Sequence, residues 1–179
     1  CVCVFFFTDE APTAIHTLSL HAALLISKMS KITDTSRPLG RGVGFENATR
    51  ANPNGVAVLY ENTELTYKQF NAWANRIADY LASIGLKKGD TVALNVENRP
   101  ELLVSALACA KLGVCAVMLN TSQRGKVLTH SFNLVAPKAA IIGEELVDAM
   151  KEVRDDLDLK DNFFYVADQD TLTDPGKIG

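Results

Sequence analysis

The sequence predicts an α/β fold with a mostly parallel, doubly wound sheet and flanking helices. Short apolar segments of strand-like composition alternate with helical segments of about 10–15 residues, the pattern of repeated βαβ units. Residues 114–119 form a continuous apolar run, as expected for a parallel strand covered on both faces. The chain has 179 residues, 47% of them hydrophobic and 22% charged, which are values of one globular domain.

The N-terminal region differs from the rest of the chain. Residues 1–28 open with a short apolar burst that no Lys or Arg precedes, so they do not match a secretory signal. We interpret them as a doubtful leader, either an artefact of sequence assembly or a weakly amphipathic helix. Residues 29–44 predict a linker that ends in glycines. The glycines have phosphate-loop spacing, but no strand precedes them, and a nucleotide role is therefore not favoured.

The remaining chain, residues 45–179, divides into alternating strands and helices. The predicted strands cover residues 56–60, 64–65, 91–96, 114–119, 139–142 and 163–167. The predicted helices cover residues 45–51, 67–84, 100–112, 125–135 and 144–155. Only a short turn separates the first two strands, so we expect them to form a hairpin.

Two of these helices have clear start and stop signals. Thr66 and Gln69 have the spacing of a capping box, and Gly85 supplies the left-handed conformation that ends the helix between them. Pro100 suits the first position of the next helix, where its missing N–H costs nothing, and Gly113 ends that helix. The first of the two carries an apolar stripe on one face, formed by Phe70, Trp73, Ala74, Ile77, Leu81 and Ile84.

Charge and cysteine patterns exclude several function classes. The net charge is −3 and no basic stripe occurs, so a nucleic-acid partner is not expected. No apolar run reaches the ~18 residues of a membrane span, which leaves only peripheral membrane association open. Cys1 and Cys3 lack further ligands for a metal site, and Cys109 and Cys115 lie in apolar runs. We therefore expect reduced thiols and a cytoplasmic location.

Two polar features, a histidine and an acidic segment, are compatible with a catalytic or a calcium site, but the surrounding sequence supports neither. His130 lies in the middle of a helix without an identifiable acidic or nucleophilic partner, and we expect it either to face solvent or to be a helical histidine with its hydrogen bonds satisfied. The acidic residues 155–161 fail the calcium-loop pattern because Lys160 falls at a ligand position and no glycine provides the turn. We predict neither a catalytic residue nor a metal site in this chain.

The loop after residues 114–119 is the best candidate for ligand contact. Asn120, Thr121, Ser122 and Arg124 follow the carboxyl end of a predicted parallel strand, where ligands of such sheets bind. Ser122 is a candidate cap of the next helix, whose N-terminus would favour an anion. We predict these four residues as substrate-binding candidates. The alternative is an ordinary strand-to-helix turn, since every such loop has this form.

Four short motifs within residues 45–167 resemble the N-terminal portion of the adenylate-forming enzymes, the AMP-dependent synthetase/ligase superfamily. They are LTY at 65–67, GLKKGD at 85–90, ENRPE at 97–101 and LNTSQRGK at 119–126. The last two look most like long- and very-long-chain fatty acyl-CoA synthetases, including fatty-acid transport proteins. Carnitine- or crotonobetaine-type CoA ligases are similar enough to remain an alternative.

The resemblance implies that residues 45–179 are the truncated N-terminal part of an adenylation domain, with a partial sheet. Such ligases use ATP and Mg²⁺ to activate a fatty acid or another carboxylate as an acyl-adenylate, and then form a thioester with CoA. Their Gly/Ser/Thr-rich phosphate loop ending in Lys does not occur in this sequence. We therefore expect a scaffold that is inactive alone, binds no cofactor tightly and is marginally stable, because its apolar faces and strand edges are uncovered.

Two points limit what the resemblance transfers. Some acetate-activating relatives hold CoA phosphates with arginines just after the strand that matches residues 139–142. Here that segment is Gly143-Glu144-Glu145, so no CoA contact is assigned to it. A free-standing nucleotide- or flavin-binding module and a non-catalytic interaction protein remain alternatives. The first of these would need a phosphate loop after residues 56–60, which the sequence does not provide.

Overall fold

The structure, a computed structural model, describes residues 40–167 of the chain. The predicted leader at residues 1–28 lies outside the described residues, as does most of the linker predicted at 29–44. Residues 168–179 also lie outside them. The predicted division of the chain at these points therefore remains a prediction.

The described chain contains all of the predicted helices and strands. The helices are α1 (Arg41–Ala51), α2 (Tyr67–Ser83), α3 (Pro100–Leu112), α4 (Gly125–Leu134) and α5 (Val147–Val153). The strands are β1 (Val56–Tyr60), β2 (Thr63–Thr66), β3 (Thr91–Asn95), β4 (Cys115–Met118), β5 (Ala139–Gly143) and β6 (Phe163–Val166). Short 3-10 turns, Glu144–Leu146 and Arg154–Asp156, flank α5, so the single helix predicted over 144–155 is divided into three pieces.

Four parallel strands form the main sheet, in the order β4-β3-β5-β6. β3 lies inside the sheet, where Val92 is opposite Ala116 on one side and Ala139 on the other. β1 and β2 pair separately as an antiparallel hairpin. The predicted α/β class with a mostly parallel sheet is confirmed.

Helices cover both faces of the main sheet. Successive side chains of β3 point to opposite faces, so the strand contributes to two separate apolar clusters. The first cluster joins β3 to α2 and α3 through Val92, Leu94, Leu81, Leu102 and Cys109. The second joins the sheet to α4 and α5 through Ala93, Ile142, Leu128, Phe132 and Met150. This arrangement is the predicted doubly wound one, and it buries the residues of β3 after Thr91 and all those of β5.

β4 lies at an edge of the described sheet and pairs with β3 alone. The apolar run at residues 114–119 predicts a strand covered on both faces, and β4 does contribute to both apolar clusters, through Ala116 on one face and Val117 on the other, but this cover is incomplete. Met118 is 41% exposed, and only Ala116 of the four strand residues is fully buried. An apolar run reports the hydrophobicity of a strand, and it does not reveal how many neighbours the strand has.

α1 begins four residues earlier than predicted. The segment at Arg41–Gly44, assigned to the linker from its glycines, forms the first turn of the helix. Gly42 is buried, and a Cβ there would lie 3.0 Å from the Cα of Lys111 in α3. The Lys111 ammonium also pairs with the Glu46 carboxylate of α1. Glycine is therefore needed here for close packing of two helices, a requirement that the sequence alone does not show.

The predicted caps of α2 and α3 are present. The Thr66 hydroxyl accepts the Gln69 N–H at 3.3 Å, and the Gln69 side-chain oxygen accepts the Thr66 N–H at 2.9 Å. Gly85 follows α2 with φ +91°, and Gly113 ends α3 with φ +71°. These two positions lie in the left-handed region, where glycine avoids the strain that a side chain would cause.

Candidate functional site

A cavity of about 410 Å³ lies beyond the carboxyl ends of β3 and β4. The loop that links β3 to α3 supplies one wall, and the loop that links β4 to α4 supplies the other. Its lining consists of Val96, Glu97, Asn98, Leu102, Met118, Leu119, Asn120 and Thr121. Parallel α/β sheets bind ligands at the carboxyl ends of their strands, so the cavity is the candidate functional site.

The wall that follows β4 is a tight turn. The Leu119 N–H donates to the Leu94 carbonyl at 2.8 Å, which continues the strand pairing up to the edge of the cavity. The Asn120 side-chain oxygen then accepts the Ser122 N–H at 2.9 Å, and the Asn120 carbonyl accepts the Gln123 N–H at 3.1 Å. Asparagine forms this type of turn readily, because its side chain reaches the backbone two residues on. The turn fixes Asn120 at the mouth of the cavity.

The four predicted contact residues divide into two pairs. Asn120 and Thr121 line the cavity, whereas Ser122 and Arg124 are not among its lining residues. The Arg124 guanidinium folds back on its own loop, where it donates to the carbonyls of Thr121 at 2.6 Å and Gln123 at 2.7 Å. The guanidinium is thus committed to holding the loop.

Ser122 does not cap α4, which corrects the sequence-based expectation. The N-cap position is Arg124, and no side chain makes a capping hydrogen bond there. The reason is that the turn at Asn120 adds residues before the helix, and this separates Ser122 from the first turn. The predicted anion-favouring helix start therefore lacks the hydroxyl that would have completed it.

The opposite wall is held by Arg99, which sequence reasoning missed. Arg99 is only 6% exposed, and its guanidinium donates to the carbonyls of Ala167 at 2.6 Å and Val166 at 3.1 Å. It also donates to the Glu145 carboxylate at 2.9 Å. Glu145 in turn accepts the backbone N–H of Glu97 at 2.9 Å. One buried cation thus joins the β3–α3 loop to the segment after β5 and to the end of β6.

Structural contacts shift the pKa values of several groups outside the cavity. Lys138, followed by the Lys87 backbone N–H, holds the pKa of Asp90 below its ordinary value, at the amino end of β3. Lys111 lowers the pKa of Glu46 through the pairing of α1 with α3. Burial raises the pKa of Cys109 to about 12, so this thiol is not a nucleophile near neutral pH. None of these groups lines the cavity.

The described residues do not bring metal-ligating side chains together. Within residues 40–167, no cluster of three His, Cys, Asp or Glu side chains could hold a metal ion. His130 is exposed on α4, as expected, and the acidic residues after α5 form no such cluster. Over the same residues, no helix has both the length and the apolar character needed to cross a bilayer.

Known proteins resemble this chain in sequence over about three fifths of its length. It is 38% identical over 111 residues to a medium/long-chain-fatty-acid–CoA ligase of Mycobacterium tuberculosis, covering 62% of this chain and 19% of the relative. It is 34% identical over 110 residues to long-chain fatty acid transport protein 6 of Mus musculus, covering 61% and 18%. The chain therefore spans less than a fifth of the length of these two relatives.

Solved structures share the fold. A fatty acyl CoA synthetase of Mycobacterium tuberculosis superposes with a TM-score of 0.63 at 28% identity, over 70% of this chain and 26% of that one. The family model of the AMP-binding enzymes matches residues 45–176, about three quarters of the chain, from α1 to beyond β6. The resemblance noted from the four motifs is confirmed, and this chain belongs to the AMP-binding enzyme family.

Proposed function

We propose that this chain is the N-terminal part of an ATP-dependent fatty acid:CoA ligase. The family match over residues 45–176 carries the proposal, and the fatty-acid ligase and fatty-acid transport proteins among its relatives support the substrate class. In the reaction, the fatty-acid carboxylate would displace pyrophosphate from the α-phosphate of ATP to give an acyl-adenylate, and the CoA thiol would then displace AMP to give the thioester. The chain's own contribution to that reaction would be a scaffold and the substrate cavity between its β3–α3 and β4–α4 loops.

The lining of this cavity does not fit the triphosphate of ATP. Among residues 40–167, no Lys, Arg or His lines the cavity, and the only charged lining residue is Glu97, a carboxylate. A polyphosphate needs several cationic groups or backbone N–H donors to balance its charge. We therefore assign no nucleotide step to these residues, and propose that the chain alone does not form an adenylate.

The cavity suits an uncharged part of a substrate. Its lining combines the side chains of Asn98, Asn120 and Thr121 with apolar carbons of Leu102 and Leu119. Amide and hydroxyl groups orient a chain that carries hydrogen-bonding groups, while the apolar carbons contact its methylenes. Asn120 and Thr121 are accordingly proposed as contact residues, with Arg124 holding the loop beneath them and Ser122 completing the turn.

The scaffold role is tested with the chain alone and with a chimaera. The purified chain with ATP, Mg²⁺ and a long-chain fatty acid should release no pyrophosphate, and turnover above a no-enzyme control would refute the inactive scaffold. In the chimaera, residues 45–167 replace the matching segment of the mycobacterial ligase. We expect fatty acyl-CoA formation to be retained. A correctly folded chimaera that accepts only carnitine or crotonobetaine would refute the fatty-acid assignment.

The contact residues are tested in the same chimaera. Thr121→Val removes a hydroxyl from the cavity at nearly constant volume, and we expect KM for one substrate to rise by about two- to tenfold, the value of one hydrogen bond. Ser122→Ala is the matched control, because it removes a hydroxyl from the neighbouring residue outside the lining. Equal effects of the two substitutions, or none from Thr121→Val, would remove the contact assignment.

A further inference from the structure

Glu145 links two loops through its two carboxylate oxygens. One oxygen accepts the Glu97 backbone N–H at 2.9 Å, and the other accepts the Arg99 guanidinium at 2.9 Å. Glu97 lines the cavity, and it lies between the end of β3 and the start of α3, where the backbone is in neither a strand nor a helix. The carboxylate therefore holds a cavity wall that no regular secondary structure supports.

Gly143, at the end of β5, provides the space that this carboxylate occupies. A Cβ at position 143 would overlap both carboxylate oxygens of Glu145. The backbone of Gly143 has φ −68° and ψ 146°, which any residue adopts, so conformational freedom does not explain this glycine. The missing side chain does explain it, because the Glu145 carboxylate folds back over the glycine to reach Glu97 and Arg99.

Arg99 connects the same arrangement to the end of the sheet. Its guanidinium bonds the last carbonyls of the described chain, those of Val166 and Ala167, in addition to Glu145. A rigid planar cation can satisfy acceptors in several directions at once, as a single ammonium group cannot. The position of the cavity wall is thereby tied to the position of the chain that leaves β6.

We propose that Gly143, Arg99 and Glu145 form a positioning unit that sets the Glu97–Asn98 wall of the cavity and ties it to the exit of β6. Arg99 and Glu145 make the bonds, and Gly143 leaves the room for them. The function of the unit rests on the substrate-contact role proposed for the cavity. The contacts among Gly143, Arg99 and Glu145 do not depend on that role. A test without ligand therefore separates the unit from the ligase function.

The test is native-state amide exchange of Glu97, measured by NMR on the whole chain. Glu145→Ala removes the acceptor, and Gly143→Ala fills the space where the acceptor lies. We expect each variant to speed exchange of the Glu97 amide by about tenfold, the worth of a hydrogen bond to a charged group. The double variant should exchange no faster than Glu145→Ala, because both changes remove the same bond.

Two references separate positioning from a general loss of stability. The Leu119 amide, which is bonded to the Leu94 carbonyl where the β3–β4 pairing ends, should keep its exchange rate in every variant. Glu46→Gln, which weakens the ion pair between α1 and α3, should leave the Glu97 amide unchanged. If Glu145→Ala fails to fold, Glu145→Gln takes its place. The glutamine keeps one acceptor oxygen, so we then expect partial protection of the Glu97 amide.

The outcomes distinguish the proposal from its alternatives. Fast exchange at Glu97 in Gly143→Ala, with Leu119 unchanged and no additivity in the double variant, supports the positioning unit. An unchanged Glu97 amide in Gly143→Ala would overturn it, as would equal acceleration at Glu97 and Leu119. Additive effects in the double variant would show that Gly143 acts independently of Glu145, which would also contradict the proposal. None of these results depends on whether the chimaera forms acyl-CoA.

Discussion

Two glycines in the first turn of α1 provide a matched test of how this helix packs. Gly42 faces the backbone of α3, where a Cβ would lie 3.0 Å from the Lys111 Cα and 3.2 Å from the Ala110 carbonyl oxygen. Gly44 lies in the same turn, but a Cβ at that position would have no atom of the described residues within 4 Å. Alanine at either position changes the helix in the same way, so the difference between the variants isolates the contact with α3.

The expected magnitudes follow from these distances. Replacing a helical glycine by alanine stabilises a helix by up to about 1 kcal/mol, and Gly44→Ala should show this gain in full. In Gly42→Ala the same gain is opposed by overpacking against backbone atoms that cannot rotate away, at a cost of about 1–3 kcal/mol. We therefore expect Gly42→Ala to be less stable than Gly44→Ala by about 1–3 kcal/mol, with little or no gain over the unmodified chain.

The assay is urea unfolding followed by the fluorescence of Trp73, the only tryptophan of the chain. Trp73 and Phe45 of α1 pack against the same apolar cluster, so the signal is sensitive to loss of α1 from its site. Equal stabilisation by both alanines would refute the close approach of α1 to α3. Equal destabilisation would instead show that Arg41–Gly44 is not helical in solution.

Three further predictions concern the capping box and two shifted pKa values. Thr66→Ala removes the hydroxyl that accepts the Gln69 N–H, and it should lower the free energy of unfolding by about 1 kcal/mol in urea; an unchanged value would mean that the cap is not formed. The ion pair with Lys138 is the main cause of the lowered pKa of Asp90, so its stabilisation is complete above the ordinary carboxyl pKa and is lost as pH falls through the lowered one. Asp90→Asn should therefore reduce the difference between urea midpoints measured near neutral pH and in acid, whereas an unchanged difference would contradict the assignment. Cys109, fully buried with its pKa raised to about 12, should resist iodoacetamide at neutral pH until the chain is unfolded, and modification of the folded chain at Cys109, located by peptide mass spectrometry, would contradict this burial.

Local signals explain why most of the fold could be predicted. Three kinds of signal depend only on residues a few positions away in sequence. They are the capping box at Thr66, the proline that begins α3, and the glycines that end α2 and α3. Their geometry depends little on distant parts of the chain, and the structure places each of them as the sequence predicts. Strand and helix periods are likewise local, so the alternation that defines the α/β class is visible before any tertiary contact is known.

The features that could not be predicted depend on distant partners. Arg99 and Glu145 are 46 residues apart in sequence, and the residues next to each of them do not indicate that the two form an ion pair. The sequence predicts a linker at Gly42, because the backbone of α3 that requires a glycine there lies far along the chain. The edge position of β4 could not be predicted either, because it depends on which strands pair in the sheet and not on the sequence of β4 itself.

The candidate site was predicted at the level of the loop and only partly at the level of residues. The rule for parallel sheets placed the loop at residues 120–124 beyond a strand end, and the cavity lies there. The rule does not tell which side chains point inwards, because the turn at Asn120 decides this. Asn120 and Thr121 line the cavity, while Arg124 bonds its own loop. The wall at Glu97 was not predicted, because its position depends on Glu145.

The strand order has a consequence for how the chain acquires its structure. Both neighbours of β3 follow it in sequence, and β5 begins only at Ala139. During synthesis, β3 therefore leaves the ribosome with two open edges, and more than forty residues must follow before the second edge can be closed. Such long-range parallel pairing makes folding slow and exposes aggregation-prone strands meanwhile. We expect nascent chains that end before residue 139 to need chaperone protection, and those that extend past β5 to need much less.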